Sequence, residues 1–181
     1  MQSAVFRAKS RLPKRQLLLT ALLGLMQPLA FAPFSFAWLM PLLLAVLLWQ
    51  QYGRSPAQAF SLGLVFSASG FAAGLYWIYI STHVYSGAPA ALSILLIAIL
   101  ALYLGLYSAV VAAIAAWFGS DHLGRPQFRF WLLAYICAWP LFEWLRGWVL
   151  TGFPWFSLGY SQTDSWLNGL APLGGVYLLA I

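Results

Sequence analysis

Acid is almost missing from this chain. Of 181 residues only three are aspartate or glutamate, nine are lysine or arginine, and one is cysteine. Each scarcity excludes something. Charged residues make up 7% of the chain and hydrophobic ones 63%, where soluble domains carry about a quarter charged. A soluble domain of this size has too much surface for its volume to hide that apolar content from water. The single Cys137 stands inside an apolar run and forms no intramolecular disulfide. His122 has no second ligand at metal spacing, so neither a metal site nor any other cofactor is expected. No lysine follows Lys14. Near-absence of ionisable residues from the apolar runs also leaves no ion or proton path, which argues against a small transporter.

What remains is long apolar segments with short punctuation. They are continuous rather than alternating, which excludes a transmembrane barrel and points to helices that satisfy their own backbone in lipid. The expected fold is all-α, a polytopic transmembrane bundle of about five helices plus the start of a sixth. Residues 1–15 form a basic leader, and residues 16–181 form the helical domain. The first run, Gln16 to Phe31, resembles a signal peptide with a cleavage-like Ala30-Phe31-Ala32, but Pro33 would follow the cut, so a retained helix is expected. At about 24 Å it is shorter than the hydrocarbon core of about 30 Å. The second, Trp38 to Tyr52, is as short. Together they form either two tilted spans or a re-entrant hairpin. The third, Ala57 to Ile80, carries small residues Gly63, Ser67, Gly70 and Gly74 on one face. The fourth, Ala90 to Phe118, carries Ala101, Gly105, Ala109 and Ala113. These two stripes are natural partners for close packing. Tyr76, Trp77, Tyr79 and Tyr85 with His83 mark an interfacial belt or a rim for lipid or a docked domain. The fifth run extends from Phe128 to at least Leu145 with Pro140 inside it, where a kink is expected. Cys137, without a titratable neighbour, reads as packing rather than as a nucleophile. The sixth run begins near Leu170 and is still apolar at Ile181, so the domain is expected to be incomplete at its C-terminus.

The basic residues are placed unevenly. Arg7, Lys9, Arg11, Lys14 and Arg15 precede the first run, and Arg54, Arg125 and Arg129 flank short connections. This is the positive-inside pattern, with the N-terminus cytoplasmic. No basic face interleaved with aromatics suggests nucleic acid. Arg146 is the one basic residue left on the outer side. It stands three residues after Glu143, on the same helical face. Two readings are open: mutual neutralisation at a helix end, or a guanidinium that Glu143 holds ready for a lipid phosphate. After it come Gly147 and Gly152, which permit tight turns, and Pro154, which extends Phe153. Trp148, Phe153, Trp155 and Tyr160 then fall in a rigidly punctuated outer loop. Glu143, Arg146, Trp148, Phe153, Pro154, Trp155 and Tyr160 are the candidates for lipid binding or domain docking.

The block Glu143-Trp-Leu-Arg-Gly-Trp-Val-Leu-Thr-Gly-Phe-Pro-Trp155 resembles apolipoprotein N-acyltransferase. Gly159-Tyr160-Ser161-Gln162, Gly169-Leu170-Ala171-Pro172, Gly74 to Ser81, Gly87 to Pro89 and Leu29 to Phe34 extend the resemblance over nearly the whole chain, in order. It implies a bacterial inner-membrane enzyme that moves an acyl chain from a phospholipid donor to the α-amino group of the diacylglyceryl-cysteine of an apolipoprotein acceptor. The family works through a thioester on a cysteine which, with a glutamate and a lysine, lies in a nitrilase-like extracytoplasmic domain. None of that triad maps onto this sequence. Glu143 belongs to the membrane motif, Cys137 lies within a helix, and no lysine is available. No catalytic residue is therefore assigned, and this chain alone is expected to be inactive. The alternative expectation is a non-catalytic membrane scaffold or lipid-binding module for a separate transferase.

Overall fold

A computed structural model describes residues 12–121 and 123–179. Most of the basic leader, including Arg7, Lys9 and Arg11, and also His122 and the chain's end at Ile181, lie outside the described residues. Among those described, the structure is helical throughout, with no strand.

The first apolar run divides. Helix α1 spans Lys14–Leu25, and a single 3-10 turn, Gln27–Ala30, follows it. Pro28 in that turn offers no amide to continue the α pattern. Helix α2 spans Leu39–Gln51. Helix α3, Pro56–Gly74, starts on a capping box: Ser55 Oγ accepts the Gln58 amide at 3.4 Å, and Gln58 Oε1 accepts the Ser55 amide at 3.3 Å. Pro56 fills the first position, where a missing amide costs nothing. The expected run to Ile80 breaks at Leu75. A short helix α4, Tyr76–Tyr79, and one π turn, Ile80–Tyr85, replace its last part. Helix α5, Ala90–Phe118, has the bounds its flanking Pro89 and Gly119 suggest. Helix α6 spans Phe128–Arg146 with Pro140 inside it, and α7 spans Ala171–Leu178.

Two helices, α3 and α5, are long and apolar enough to cross a membrane. At 12 and 13 residues α1 and α2 are each about 20 Å long, so neither meets that length alone. The expected count of five therefore exceeds what length and apolarity establish. The outer face of α5 is apolar and exposed, with Leu92, Leu95, Ile99, Leu102 and Leu106 along it.

α3 is the centre of the bundle, packed on α1 and α5. Small residues set the α3–α5 approach. A Cβ on Gly63 would press on the Ser108 carbonyl and Ala109, and one on Gly105 would meet Ala68. The other half of the small stripe behaves differently from expectation. Gly70 is covered by the Gln27 side chain and Gly74 by the Phe156 ring, so neither glycine of that GxxxG receives α5. Gln27 reaches this position because its Nε2 donates to the Phe66 carbonyl at 2.9 Å. Deeper in the bundle Tyr135 donates its hydroxyl to Gln51 Oε1, a buried polar tie between α6 and α2.

The bundle has two unlike ends. At one, Arg54 joins Gln16 and Gln50, and Tyr52 meets Phe128, which places Lys14, Arg15, Arg54, Arg125 and Arg129 together. The other end collects the connections 26–38, 80–89 and 147–170.

Candidate functional site

The last turn of α6 sends two charged side chains inward, Glu143 at 7% exposure and Arg146 at 4%. Their closest N–O separation is 3.9 Å. Arg146 spends its donors on the loop that follows. Nη1 donates to the Trp155 carbonyl at 2.9 Å, and Nη2 donates to Ser157 Oγ at 3.0 Å. Its guanidinium lies 5.1 Å from the Phe71 ring centroid, a cation–π placement on α3. Glu143 Oε1 accepts the Leu158 amide at 2.8 Å. One helical turn thus holds residues 155–158 at three points. Charges this far from solvent persist only when paired and hydrogen-bonded, and removing one partner of such a pair costs about 3–5 kcal/mol.

The backbone between them is forced. The Phe153 amide returns to the Arg146 carbonyl at 2.8 Å, so the chain must reverse within six residues. Leu150 (φ 53°), Thr151 (φ 75°) and Phe156 (φ 57°) occupy left-handed conformations that side chains disfavour. Gly152 (φ 79°) is required: a Cβ there would overlap the Gly147 carbonyl. Strain of this kind survives only where neighbours over-determine it. At Phe156 the determinant is its own ring, which packs 4.6 Å from Phe31 and 6.3 Å from Phe71 between the first turn region and α3. Farther on, Gln162 Nε2 donates to the Ala37 carbonyl at 3.1 Å, and Ser35 Oγ donates to Asp164 Oδ2 at 2.6 Å.

The anchored loop turns aromatics outward. Trp155 is 53% exposed and Tyr160 45%, with Pro154 exposed beside them and Phe153 half-buried. Phe153 and Trp155 are 5.3 Å apart, and Trp155 reaches Trp77 of α4 at 6.3 Å. Pro154, Trp155 and Tyr160 line one groove of about 470 Å³, with Phe31 and Phe156 as its floor. Trp148 stands apart from it, 69% exposed, with its ring against Trp144. The seven candidates therefore separate into an inner pair, Glu143 and Arg146, and an outer surface, Phe153 to Tyr160, with Trp148 isolated. Of the two readings open for Arg146, neutralisation by Glu143 or readiness for a lipid phosphate, the structure shows its donors engaged by the Trp155 carbonyl and Ser157.

Behind the pair lies a small, mostly apolar cavity of about 30 Å³ with some polar groups on its wall. Gln27, Ser67, Tyr107, Trp139, Glu143 and Arg146 are on its wall. Glu143 Oε2 and Trp139 Nε1 are both buried there, with the indole N–H close to the carboxylate.

Sequence reading misses Phe156, Ser157 and Leu158, which complete the site. The available signal was Ser157, one of two serine or threonine residues between Trp148 and Tyr160, a stretch otherwise apolar or aromatic. Phe71 carries no such signal, since a phenylalanine on an apolar helix is ordinary. Cys137 lies exposed on the outside of α6, beside a groove lined otherwise by apolar residues such as Phe130, Leu133 and Phe118. His83 is satisfied by the Ala88 carbonyl at 2.7 Å. Among the described residues no group of three or more His, Cys, Asp or Glu could hold a metal ion.

Residues 23–181 match the model of the apolipoprotein N-acyltransferase N-terminal domain. Similar proteins bear the same description. The Apolipoprotein N-acyltransferase of Chromobacterium violaceum is 46% identical over 164 residues, 90% of this chain and 31% of that protein. That of Shewanella oneidensis is 41% identical over 175 residues, 95% of this chain and 33% of that protein. That of Methylococcus capsulatus is 38% identical over 154 residues, 85% of this chain and 30% of that protein. The chain spans about a third of the length of the curated relatives it matches.

Proposed function

The chain belongs to the family of the apolipoprotein N-acyltransferase N-terminal domain, and on that premise we propose that it is the membrane portion of an enzyme that acylates lipoproteins. The reaction takes an acyl chain from a phospholipid donor and places it on the α-amino group of the diacylglyceryl-cysteine of an apolipoprotein. The portion described is a multi-pass bundle in the bacterial inner membrane. Its basic end faces the cytoplasm and the Glu143–Arg146 end faces outward, in keeping with the uneven placement of lysine and arginine.

Within this reading the chain's role is to hold a surface, not to react. The observation that carries it is the three-point anchorage of residues 155–158 by Glu143 and Arg146. That anchorage keeps Trp155 and Tyr160 outward, on a groove whose aromatic walls suit an acyl chain or the apolar face of a docked domain. Glu143 and Arg146 act as positioning residues, and Phe153, Pro154, Trp155 and Tyr160 make contact. Trp148 anchors the same end at the interface. No residue of the chain is assigned to bond making.

The test uses the full-length protein, with transfer from phospholipid to a diacylated lipopeptide as readout. Trp155→Ala and Tyr160→Ala are expected to lower transfer while the amount of folded protein in detergent is unchanged. Arg146→Lys, which cannot make the same two-pronged contact, is expected to lower transfer with partial loss of folded protein. Wild-type turnover in all three would sink the proposal. The 181-residue chain by itself is expected to show no transfer, and turnover by it would relocate the chemistry into the bundle.

A further inference from the structure

The basic end of the bundle holds a recess of about 680 Å³, opened where α1 begins and α2 gives way to α3. Arg15 and Arg54 are on its wall with Gln16 and Gln50, and Trp49, Tyr52 and Leu19 also line it. The two arginines are not neutralised by any carboxylate of the recess. Arg54 is held by neutral oxygens, its Nε donating to the Gln50 carbonyl and its Nη2 to Gln16 Oε1, each at 3.2 Å. None of the chain's three acids is on the recess wall, although Asp121 stands at the same end of the bundle. Glu143 and Asp164 belong to the opposite end, and Asp121 accepts the Leu123 and Arg125 amides within its own connection at 2.9 and 2.8 Å.

Two further features add donors and positive potential at the same place. Gln50 is 6% exposed, and its Oε1 takes the Thr20 hydroxyl at 2.7 Å. Its Nε2 is buried with no hydrogen-bond partner among the described residues. Helix α1 starts directly behind Pro13, with no side-chain cap among the described residues and no acid in its first turn. The positive end of the helix dipole stands beside Lys14 and Arg15, an arrangement that repels cations and welcomes an anion. The same recess is also partly greasy. Trp49 is 79% exposed, and Leu19 and Tyr52 are exposed with it. An indole and a phenol at a charged rim mark headgroup depth.

We propose that this recess binds the phosphodiester of an anionic phospholipid. The two guanidinium groups and the Gln50 amide engage the phosphate, and the first acyl carbons lie along Trp49 and Leu19. Basic hollows between helices at a membrane face are suited to such headgroups. The exposed indole and leucine favour a lipid over free phosphate, since a free anion leaves them in water. The site is independent of the Glu143–Arg146 loop at the far end.

The test is native mass spectrometry of the full-length protein in detergent, titrated separately with phosphatidylglycerol and with phosphatidylcholine of the same chains. Lipid bound elsewhere on the protein cancels in the wild-type to variant ratio. Each arginine is expected to contribute about fivefold in preference for the anionic lipid. Arg54→Gln should lose about that factor, and Arg15→Gln with Arg54→Gln should bring the two lipids to equal affinity. Arg54→Lys should retain most of the preference, and Arg15→Gln alone, on an exposed side chain, covers the case in which the double variant fails to fold. Replacing Arg7, Lys9 and Arg11 by glutamine should leave the preference largely intact, and inorganic phosphate at millimolar concentration should not displace the lipid. Equal affinity in the wild type, a preference that survives in the double variant, one that vanishes with the leader charges alone, or full displacement by inorganic phosphate would each overturn the proposal.

Discussion

Arg146 and Arg54 sit at opposite ends of one bundle and are used in opposite ways. Arg146 is buried, beside Glu143, stacked on Phe71 and hydrogen-bonded to Trp155 and Ser157. Arg54 is half-buried, donates to amide oxygens and fronts an open recess. A cation whose donors are spent inside the protein shapes a surface. A cation held by neutral oxygens keeps its field for something outside. Net charge per residue says nothing of this. The position of the few acids decides it, because one carboxylate is enough to turn an arginine into architecture.

The contrast can be broken by exchanging the roles. The largest effect is expected from Arg146→Ala, which strands Glu143 and should cost about 3–5 kcal/mol. It is read as loss of folded protein after extraction and as new proteolysis between Trp148 and Gln162. If Arg146→Ala is as mild as Arg54→Gln, the distinction between the two ends collapses. Next is Phe156→Ala, which empties the space over Gly74 beside Phe31 and Phe71 and should cost about 3 kcal/mol, seen in thermal unfolding. Trp155→Ala should leave stability nearly untouched and lower acyl transfer about tenfold, the scale of an exposed aromatic anchor. Arg54→Gln should change unfolding by about 0.5–1 kcal/mol. Cys137→Ser is expected to be smallest, with unchanged transfer, because the thiol lies on the outside of α6 with only apolar neighbours. A large loss there would assign Cys137 a role that nothing around it supports.

Much of the fold was legible because its signals are local. The apolar run from Ala90 to Phe118 is α5, and the run that starts at Phe128 is α6. The Gly63 and Gly105 faces pack as their spacing suggests. The break at Leu75 was not legible, since the residues through Ile80 stay apolar and aromatic and nothing punctuates them. Nor was the fate of Gly70 and Gly74. A small residue announces that something comes close, not what, and the visitors are Gln27 and Phe156 from distant segments. For the site, the pair Glu143 and Arg146 stood out by rarity of charge, and their mutual proximity was read correctly. Their inward direction depends on Ser157 and Leu158 folding back, a long-range closure that helical spacing cannot reveal. The outer aromatics were identifiable as a group. Only the structure separates Trp148 from the groove formed by Pro154, Trp155 and Tyr160.

The bond from Ser35 to Asp164 spans 129 positions, and that from Gln162 to the Ala37 carbonyl spans 125. On a ribosome adding about 5–20 residues each second, the first turn region is synthesised on the order of ten seconds before its partners exist. Through that interval Ala30 and Phe31, buried in the finished bundle, have no Phe156 to cover them. The nascent chain therefore needs lipid or an insertion factor to shield residues 26–38 while α3, α5 and α6 are made. Closure by residues 156–164 is a late event of assembly, and slowed elongation after Gly147 would lengthen the life of the open form.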